Sequence, residues 1–510
     1  MTNSHAFKAC TACRSRWIRA AAALVLALGA VAQGRALDVG WAQVDITPPK
    51  PVLLAGQFAA RVSEGVLDPI TATVLALEAD GEQAVFVSCD VVSIPDALRD
   101  AVRARLAGVP GLDPAKVIVH ATHSHTAPVY SEDRVVPGIP LPVMETSEVA
   151  RFTADVLADG VRRAWTARAP GGVSFGLGHA VVGRNRRSVD RDGKSTMYRD
   201  VAKPEFSHIE GYEDPDVNFI ATYDTQGALT GLVVNLASPA QESESMYKLT
   251  ADFWHDTRLE LRRRHGDKLF VLGQCSTAGD MSPHFDRASS HAYRAEKRML
   301  ALKNRSMRAE IAHRIANAAD EVLPVIGKVI DRNPALKHRV ETLALPMNKL
   351  TEPDVADARK EVVLWRNRFE SEKARIDGQT APPQGNRWYV AVTNAYGRMR
   401  WNQGVLDRFE AQRKGPQTRT VQIHVLRLGE IAIATNPFEY YLDYGVQIKA
   451  RSPAVQTFLV QLAGAGTYVP SPRSTLGGGY GSLPASNPVG AEGGGVLRDR
   501  TVELINAYWR

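Results

Sequence analysis

Three histidines fall within six positions in "VIVHATHSHTAP", residues 117–128, directly behind a run of Val and Ile. His123 and His125 are two apart at the end of a strand-like run, so alternation puts their side chains on one face. Neutral imidazoles at the lip of a sheet suit a zinc site or a proton-transfer site. An H-x-H pair is also met among packed or surface histidines, and no HExxH or second H-x-H accompanies this one. His120 faces the other way and reads as packed or capping. Ser282, in "AGDMSPH" (278–284), sits in a tight turn after another strand-like run. The surroundings are not a G-x-S-x-G elbow, so the serine-hydrolase template does not transfer, and a plain turn serine is the alternative. Glu439 follows a third apolar run, in "EIAIATNPFE".

The elements that must position these groups alternate between two periods. "QAVFVSCDVVSI" (83–94) reads as a buried strand, "PDALRDAVRARLAGV" as a helix, and "AKVIVHATHS" as the next strand. A helix over 146–167 follows, then strand-like "GVSFGLGHAVV", "DVNFIATYD" and "TGLVVNLAS", a helix near 252–265, and "KLFVLGQCS". This rhythm predicts an α/β fold: a mixed sheet core with flanking helices in one large catalytic domain over 37–510. In such sheets ligands gather at the carboxyl ends of strands, where the histidines, Ser282 and Glu439 all lie. Highly charged helical patterns over 287–378 predict a helical insertion. The Gly- and Pro-rich "SPRSTLGGGYGSLPASNPVGAEGGG" is either a linker or a loop crossing a site, glycine allowing close backbone approach. No internal sequence repeat is visible.

Composition narrows the function classes. Of 510 residues, 44% are hydrophobic, enough for one large core or two smaller ones. Lys8, Arg14, Arg16 and Arg19 precede the apolar run "AAAALVLALGAVA", which is too short to span a bilayer comfortably and closes on an A-x-A pattern. Residues 1–36 therefore read as a cleaved signal peptide, and the mature protein as periplasmic or secreted with no transmembrane segment. Removing five basic and no acidic residues takes the formal charge from +7 to +2, which gives no reason to invoke nucleic acid. The basic clusters in "ELRRRHGDK" and "RAEKRMLALKNRSMR" read as solvated helix faces. Cys10 and Cys13 leave with the leader; Cys89 and Cys275 are too few for a disulfide framework, and read as buried thiols or a single bridge.

Together these blocks resemble the neutral ceramidase family. "HATHSHTAP", "VNFIATYDTQGALTGLVVNLAS", "GQCSTAGDMSPH", "NPFE" and "TYVPSPRSTLGGGY" occur in the family's order, over about 39–507, and Tyr468 and Tyr480 keep its spacing. The resemblance implies a zinc-binding role for His123, Glu439 and Tyr468, with His125 as a site histidine and Ser282 at the reaction centre. It further implies that Arg186, in "GRNRRS", binds substrate and that Tyr480 helps stabilise the reacting carbonyl. The family's C-terminal immunoglobulin-like domain is not expected within these residues, which the catalytic-domain resemblance already fills. Where the family carries its second zinc histidine, this chain reads "LASPAQES": Pro239 cannot bind a metal, while Gln241 could offer an amide oxygen and His255 a substitute imidazole. A more oxygen-rich site shifts preference from zinc toward Mg or Mn.

The function this implies is a secreted, metal-dependent amidohydrolase that cleaves an N-acyl amide, ceramide-like or another lipid amide, with metal-activated water. Its expected partners are the small-molecule or lipid substrate and a peripheral membrane contact. The alternatives are an inactive ligand-binding homologue that lost its metal at Pro239, and a metal-dependent esterase or phosphoesterase.

Overall fold

The computed structural model describes residues 36–284, 292–378 and 387–510. The expected leader thus lies outside the described residues except for Ala36. Among the described residues no helix is long and apolar enough to cross a membrane.

The apolar runs form strands covered on both faces, which is why they read as near-continuous hydrophobic stretches. Strands β1 (Asp38–Asp45), β2 (Thr71–Ala79), β3 (Glu82–Cys89) and β4 (Val117–Ala121) make the first sheet, edged by the short β5 (Ala169–Pro170). β1, β2 and β3 run antiparallel; helix α1 (Asp96–Arg105) then carries the chain back so that β4 pairs parallel to β3. Helix α2 (Thr146–Thr166) covers the outer face with its apolar stripe of Val149, Leu157 and Val161.

The same arrangement recurs twice. β6 (Gly172–His179) leads into the short strands β7 (Arg184–Asn185), β8 (Arg187–Asp190), β9 (Ser195–Met197) and β10 (Phe206–Ile209). It pairs antiparallel with β11 (Asp216–Tyr223), which pairs antiparallel with β12 (Leu229–Leu236). Helix α3 (Phe253–His265) then returns the chain to β13 (Phe270–Cys275), parallel to β12. After β14 (Met281–Ser282), helices α4 (Tyr293–Lys303) and α5 (Met307–Ile326) follow, and α5 packs with α3 on this second sheet. The third sheet is β15 (Leu336–Pro346), β16 (Thr418–Leu428), β17 (Ile431–Thr435) and, past β18 (Glu439–Tyr440) and helix α8 (Leu442–Arg451), β19 (Gln456–Val460), again parallel to its neighbour β17. Between β15 and β16 the chain runs out into helices α6 (Glu352–Asp377) and α7 (Val390–Gln412); β20 (Tyr468–Val469), α9 (Pro472–Gly477) and α10 (Gly490–Ala507) complete it.

The α/β class with mixed sheets is therefore as expected, but among the described residues the strands are divided over three main sheets of four or five strands and three small ones of two or three, rather than gathered in one. Their inner faces share a core that includes Trp41 and Phe86 from the first, Ile220 and Leu272 from the second, and Ile433 and Phe458 from the third. The span 287–378 is not one insertion: α5 belongs to the core of the second sheet and β15 to the third, while the excursion is the α6–α7 pair. Cys89 and Cys275 are free and buried.

One buried contact fixes the end of β3 that later serves the site. Arg258 on α3 donates both ends of its guanidinium to Asp90, at 2.7 and 2.9 Å, with both side chains almost wholly buried. Breaking such a pair from one side costs about 3–5 kcal/mol.

A second buried pair gives the fold a pH dependence. His338 Nδ1–H donates to the Gln83 carbonyl at 2.9 Å, so its Nε2 accepts from His424 Nδ1–H at 2.9 Å. Burial holds His338 down at about 4 and His424 well below the usual imidazole range. The unfolded chain protonates these rings near pH 6.5, so between about 6.5 and 4 it binds more protons than the fold does. The stability they contribute is complete above that window and lost as pH falls through it, by roughly 3 kcal/mol for His338 alone. Urea unfolding from neutral pH to pH 4 is expected to show this slope, and His338→Gln to flatten it; equal slopes for the two proteins would refute the assignment.

Candidate active site

The segments that follow the parallel strands and their neighbours meet above the strand ends. Beyond β4 the pairing with the first sheet persists, Thr122 N–H donating to Cys89 O (2.9 Å) and Ser124 N–H to Val91 O (3.0 Å). His123, between them, has φ +71°, a left-handed conformation unusual outside glycine. The expected shared face of His123 and His125 therefore does not arise from strand alternation, because the strand has already ended. A backbone kink turns the two rings toward each other, with Nε2 to Nε2 at 3.2 Å. Gly56, at φ +92°, lies against the second ring: a Cβ there would come within 2.4 Å of His125. Arg61 ties the loops together, donating to His125 O (2.5 Å), Glu244 O (2.6 Å) and Met246 O (2.8 Å).

Two tautomers follow from the partners. His123 Nδ1 lies 2.7 Å from Val92 O, and a carbonyl only accepts, so the proton is on Nδ1 and Nε2 of the neutral ring carries a lone pair. That Nε2 is 3.3 Å from Glu439 Oε2. Arg186 Nη1–H donates to Gln241 Oε1 at 3.2 Å, which places the amide NH2 toward His125. Gln241 Nε2–H then donates to His125 Nε2 at 2.7 Å, leaving the His125 proton on Nδ1, which is 3.4 Å from Glu244 Oε2. Burial lowers His125 to about 4, so the ring is neutral at neutral pH.

Glu439 and Tyr468 are direct partners in the short parallel pair β18–β20, and their side chains are hydrogen-bonded. Burial pushes the Glu439 carboxyl up, but His123, and then Arg186 and Tyr468, outweigh it and hold it below the usual carboxylate range. Burial, and after it the Glu439 charge, push the Tyr468 phenol well above its ordinary value. Arg186 Nη2–H donates to the Tyr468 oxygen at 3.1 Å and to Gly279 O at 3.0 Å; Nη1–H also donates to the Tyr198 hydroxyl at 3.1 Å.

His123, His125, Glu439, Tyr468 and Tyr480 line one cavity. Arg186 and Gln241 lie one hydrogen bond behind them. Ser282 does not line the cavity: its Oγ accepts from Tyr198 O–H (3.2 Å) and His284 N–H (3.3 Å), so it reaches the site through Tyr198. Gln241, expected among the metal ligands, spends its oxygen on Arg186 instead. His255, the other candidate for the missing imidazole, faces Asp68 at 4.0 Å and belongs to the network of Asp68, Thr250 and Arg308. Among the described residues no group of three or more His, Cys, Asp or Glu side chains is placed to hold a metal ion by itself. A cation here would need the Tyr468 oxygen as well. Tyr198, Glu244 and His284, which shape the site, went unrecognised in the sequence; they lie on irregular segments with no period or motif to mark them.

No protein-family model matches the chain, and no curated protein matches it by sequence. Solved structures do. A ceramidase complexed with C2 shares 15% identity at a TM-score of 0.65, covering 93% of this chain and 75% of its own. Neutral ceramidase from Pseudomonas aeruginosa shares 16% identity at a TM-score of 0.63, covering 93% and 74%. At this identity the likeness is one of fold, and the chain has a neutral-ceramidase-like fold.

The network assigns His125 the Nδ1–H tautomer. Long-range proton–nitrogen correlation on histidine-labelled protein at neutral pH is expected to show Nε2 unprotonated, and Gln241→Leu to let the Nε2–H form appear. A protonated Nε2 in the parent protein would contradict the hydrogen bonds described.

Proposed function

We propose that the chain is a metal-dependent hydrolase that cleaves an N-acyl amide, ceramide-like or of another lipid. The observation that carries this is the meeting of His123 Nε2 and Glu439 Oε2 at 3.3 Å. Both atoms present lone pairs, with the Tyr468 oxygen bonded to the same carboxylate. A cation among these donors compensates the convergence, as does a second proton on His123, whose Nε2–H then donates to Glu439. Neither Gln241 nor His125 competes for that place, since the amide oxygen and the His125 lone pair are both engaged. Three protein donors on the floor of an open cavity suit a catalytic metal, which keeps a position for water. The set fits zinc, and with two oxygens to one nitrogen also Mg or Mn. The bound ion would supply a polarised carbonyl and a water of lowered pKa.

The remaining roles fall to the chain's own groups. His125 is neutral, so its Nε2 can take the proton of the attacking water once Gln241 yields, and Glu244 holds the ring through Nδ1. Arg186 donates to the Tyr468 oxygen and would stabilise the negative charge it takes if a bound cation displaces its proton, and Ser282 positions Arg186 through Tyr198. Tyr480, on the cavity wall, is placed to donate to oxygen charge developing on the carbonyl. The ceramidase identity of both structural neighbours supports an N-acylated lipid as the substrate class, and the basic-then-apolar stretch in residues 1–36 supports export from the cytoplasm.

A second reading, an inactive acyl-amide-binding protein, is favoured by Pro239 and by the amide of Gln241 standing where an imidazole would complete the site. Metal analysis beside an amidase panel separates the two. About one metal per chain and hydrolysis of N-acyl amides are expected. His123→Ala and Glu439→Gln should each lose the metal and reduce kcat/KM by more than about a hundredfold, the loss that outer-shell partners alone can cause. Full activity in His123→Ala, or after exhaustive chelation, ends the proposal; binding without turnover in metal-loaded protein supports the second reading.

A further inference from the structure

Strand ends supply the chemistry of the site, but helix α7 supplies one of its walls. The cavity over His123 and Glu439 has a volume of about 290 Å3, at the small end of ligand pockets, which run from about 300 to 1,000 Å3. Phe58, Trp401 and Tyr480 close one side of it as a cluster of rings. Ring centroids are 5.3 Å apart for Phe58 and Trp401, 5.8 Å for Trp401 and Tyr480, and 6.3 Å for Phe58 and Tyr480. Phe58 and Trp401 also line a second cavity of about 230 Å3, bounded further by Ala60, Val136 and Tyr396 and, at its polar side, by Asp133 and Arg400. Space nearly equal to the pocket itself therefore lies on the far side of two side chains.

The wall is held in place from behind. Gly397, about one turn before Trp401, lets α7 sit against the loop that carries Phe58: a Cβ at this glycine would lie 2.6 Å from the Phe58 carbonyl oxygen. Ala60 N–H donates to Thr393 Oγ1 at 3.0 Å, and Val62 N–H donates to the Tyr389 hydroxyl at 3.1 Å. The Arg398 guanidinium covers the Phe58 ring at 4.7 Å. These contacts fix helix and loop as one unit, so the rings do not part without cost.

We propose that Phe58 and Trp401 set the length of the substrate. On the side of the scissile amide that faces α7 the protein takes a compact substituent, and a long unbranched one enters only when the wall is opened onto the second cavity. The kinetic form of this inference rests on the amidase reading; the wall itself is a feature of binding.

Two homologous series test it, one lengthening the acyl chain on a fixed amine from about two to twelve carbons, the other lengthening the amine on a fixed acetyl group. Calorimetric affinity and kcat/KM are measured for each. In the parent protein both should fall beyond short chains in at least one series. Trp401→Ala should raise the long-to-short ratio by about tenfold or more, the scale set by a methylene or two in an apolar pocket. Trp401→Phe, which keeps a ring in the wall, should retain the parent profile. Gly397→Ala should shift the ratio the same way as Trp401→Ala by pushing α7 off Phe58 while leaving both rings intact. If Trp401→Ala and Gly397→Ala, shown folded by circular dichroism, keep the parent's length dependence in both series, the inference falls. It falls also if the parent binds the longest members best, or binds no amide at all. A binding profile that shifts as expected in a protein without turnover would leave the wall standing and remove the amidase reading.

Discussion

Arg186 carries a positive charge in a place almost closed to water, and among the described residues no carboxylate lies within ion-pairing distance of it. Its hydrogen bonds go to four oxygens, the phenols of Tyr468 and Tyr198, the amide of Gln241 and the carbonyl of Gly279, and the Glu439 charge acts on it from beyond hydrogen-bond distance. An uncompensated buried charge costs several kcal/mol, so this partner set is under strong constraint. Each oxygen belongs to a different stretch of chain: β20, the turn after β9, the segment after β12, and the turn before β14. The guanidinium therefore acts as a template that brings four loops into register. Gln241, oriented by it, orients His125 in turn; Tyr468, held by it, is held against Glu439.

The thrice-repeated sheet explains why those loops are neighbours at all. In each unit two antiparallel pairings are followed by a helix and a parallel strand, so two adjacent strands end on the same edge. The three sheets share one core through their inner faces. His123 and His125 follow β4, Gln241 follows β12, Gly279 and Ser282 follow β13, Glu439 follows β17, and Tyr468 follows β19. A site drawn from five strand ends can gather a nitrogen, a carboxylate and a phenol without any local motif, because the sheets supply the proximity.

Legibility followed physical periodicity. The buried strands and the amphipathic helices over 96–105, 146–166 and 253–265 were readable because burial on fixed faces leaves a period in the chain. The histidine pair stood out for its composition, yet the strand-face reason given for it fails: φ +71° at His123 is a property of tertiary context that no spacing encodes. The threefold recurrence of the sheet was invisible, since pairing order constrains which faces are apolar and not which apolar residues occupy them. Charge density misplaced the excursion, because α5 hides Ile311, Ile315 and Val322 beneath a charged outer face and so belongs to the core. Gln241, expected as a metal ligand, lies one hydrogen bond behind the cavity wall, and which end of its amide turns inward depends on Arg186, far away in sequence.

This division has a consequence for how such a site can change. Residues at the strand ends are bound into cores on both sides, and altering them disturbs the sheets. The α6–α7 pair packs through two small clusters, one joining Tyr389 and Val392 to Val136 and Ile139 of the segment after β4, the other including Leu350, Ala358 and Val405. These are separate from the clusters that hold the three sheets. A ring on α7 can therefore be exchanged at the cost of local contacts, whereas reseating the helix acts on the Phe58 loop and through it on His125. The residues of the candidate site and the ring wall beside it therefore sit in different packing clusters, joined through the loop that carries Gly56, Phe58 and Arg61.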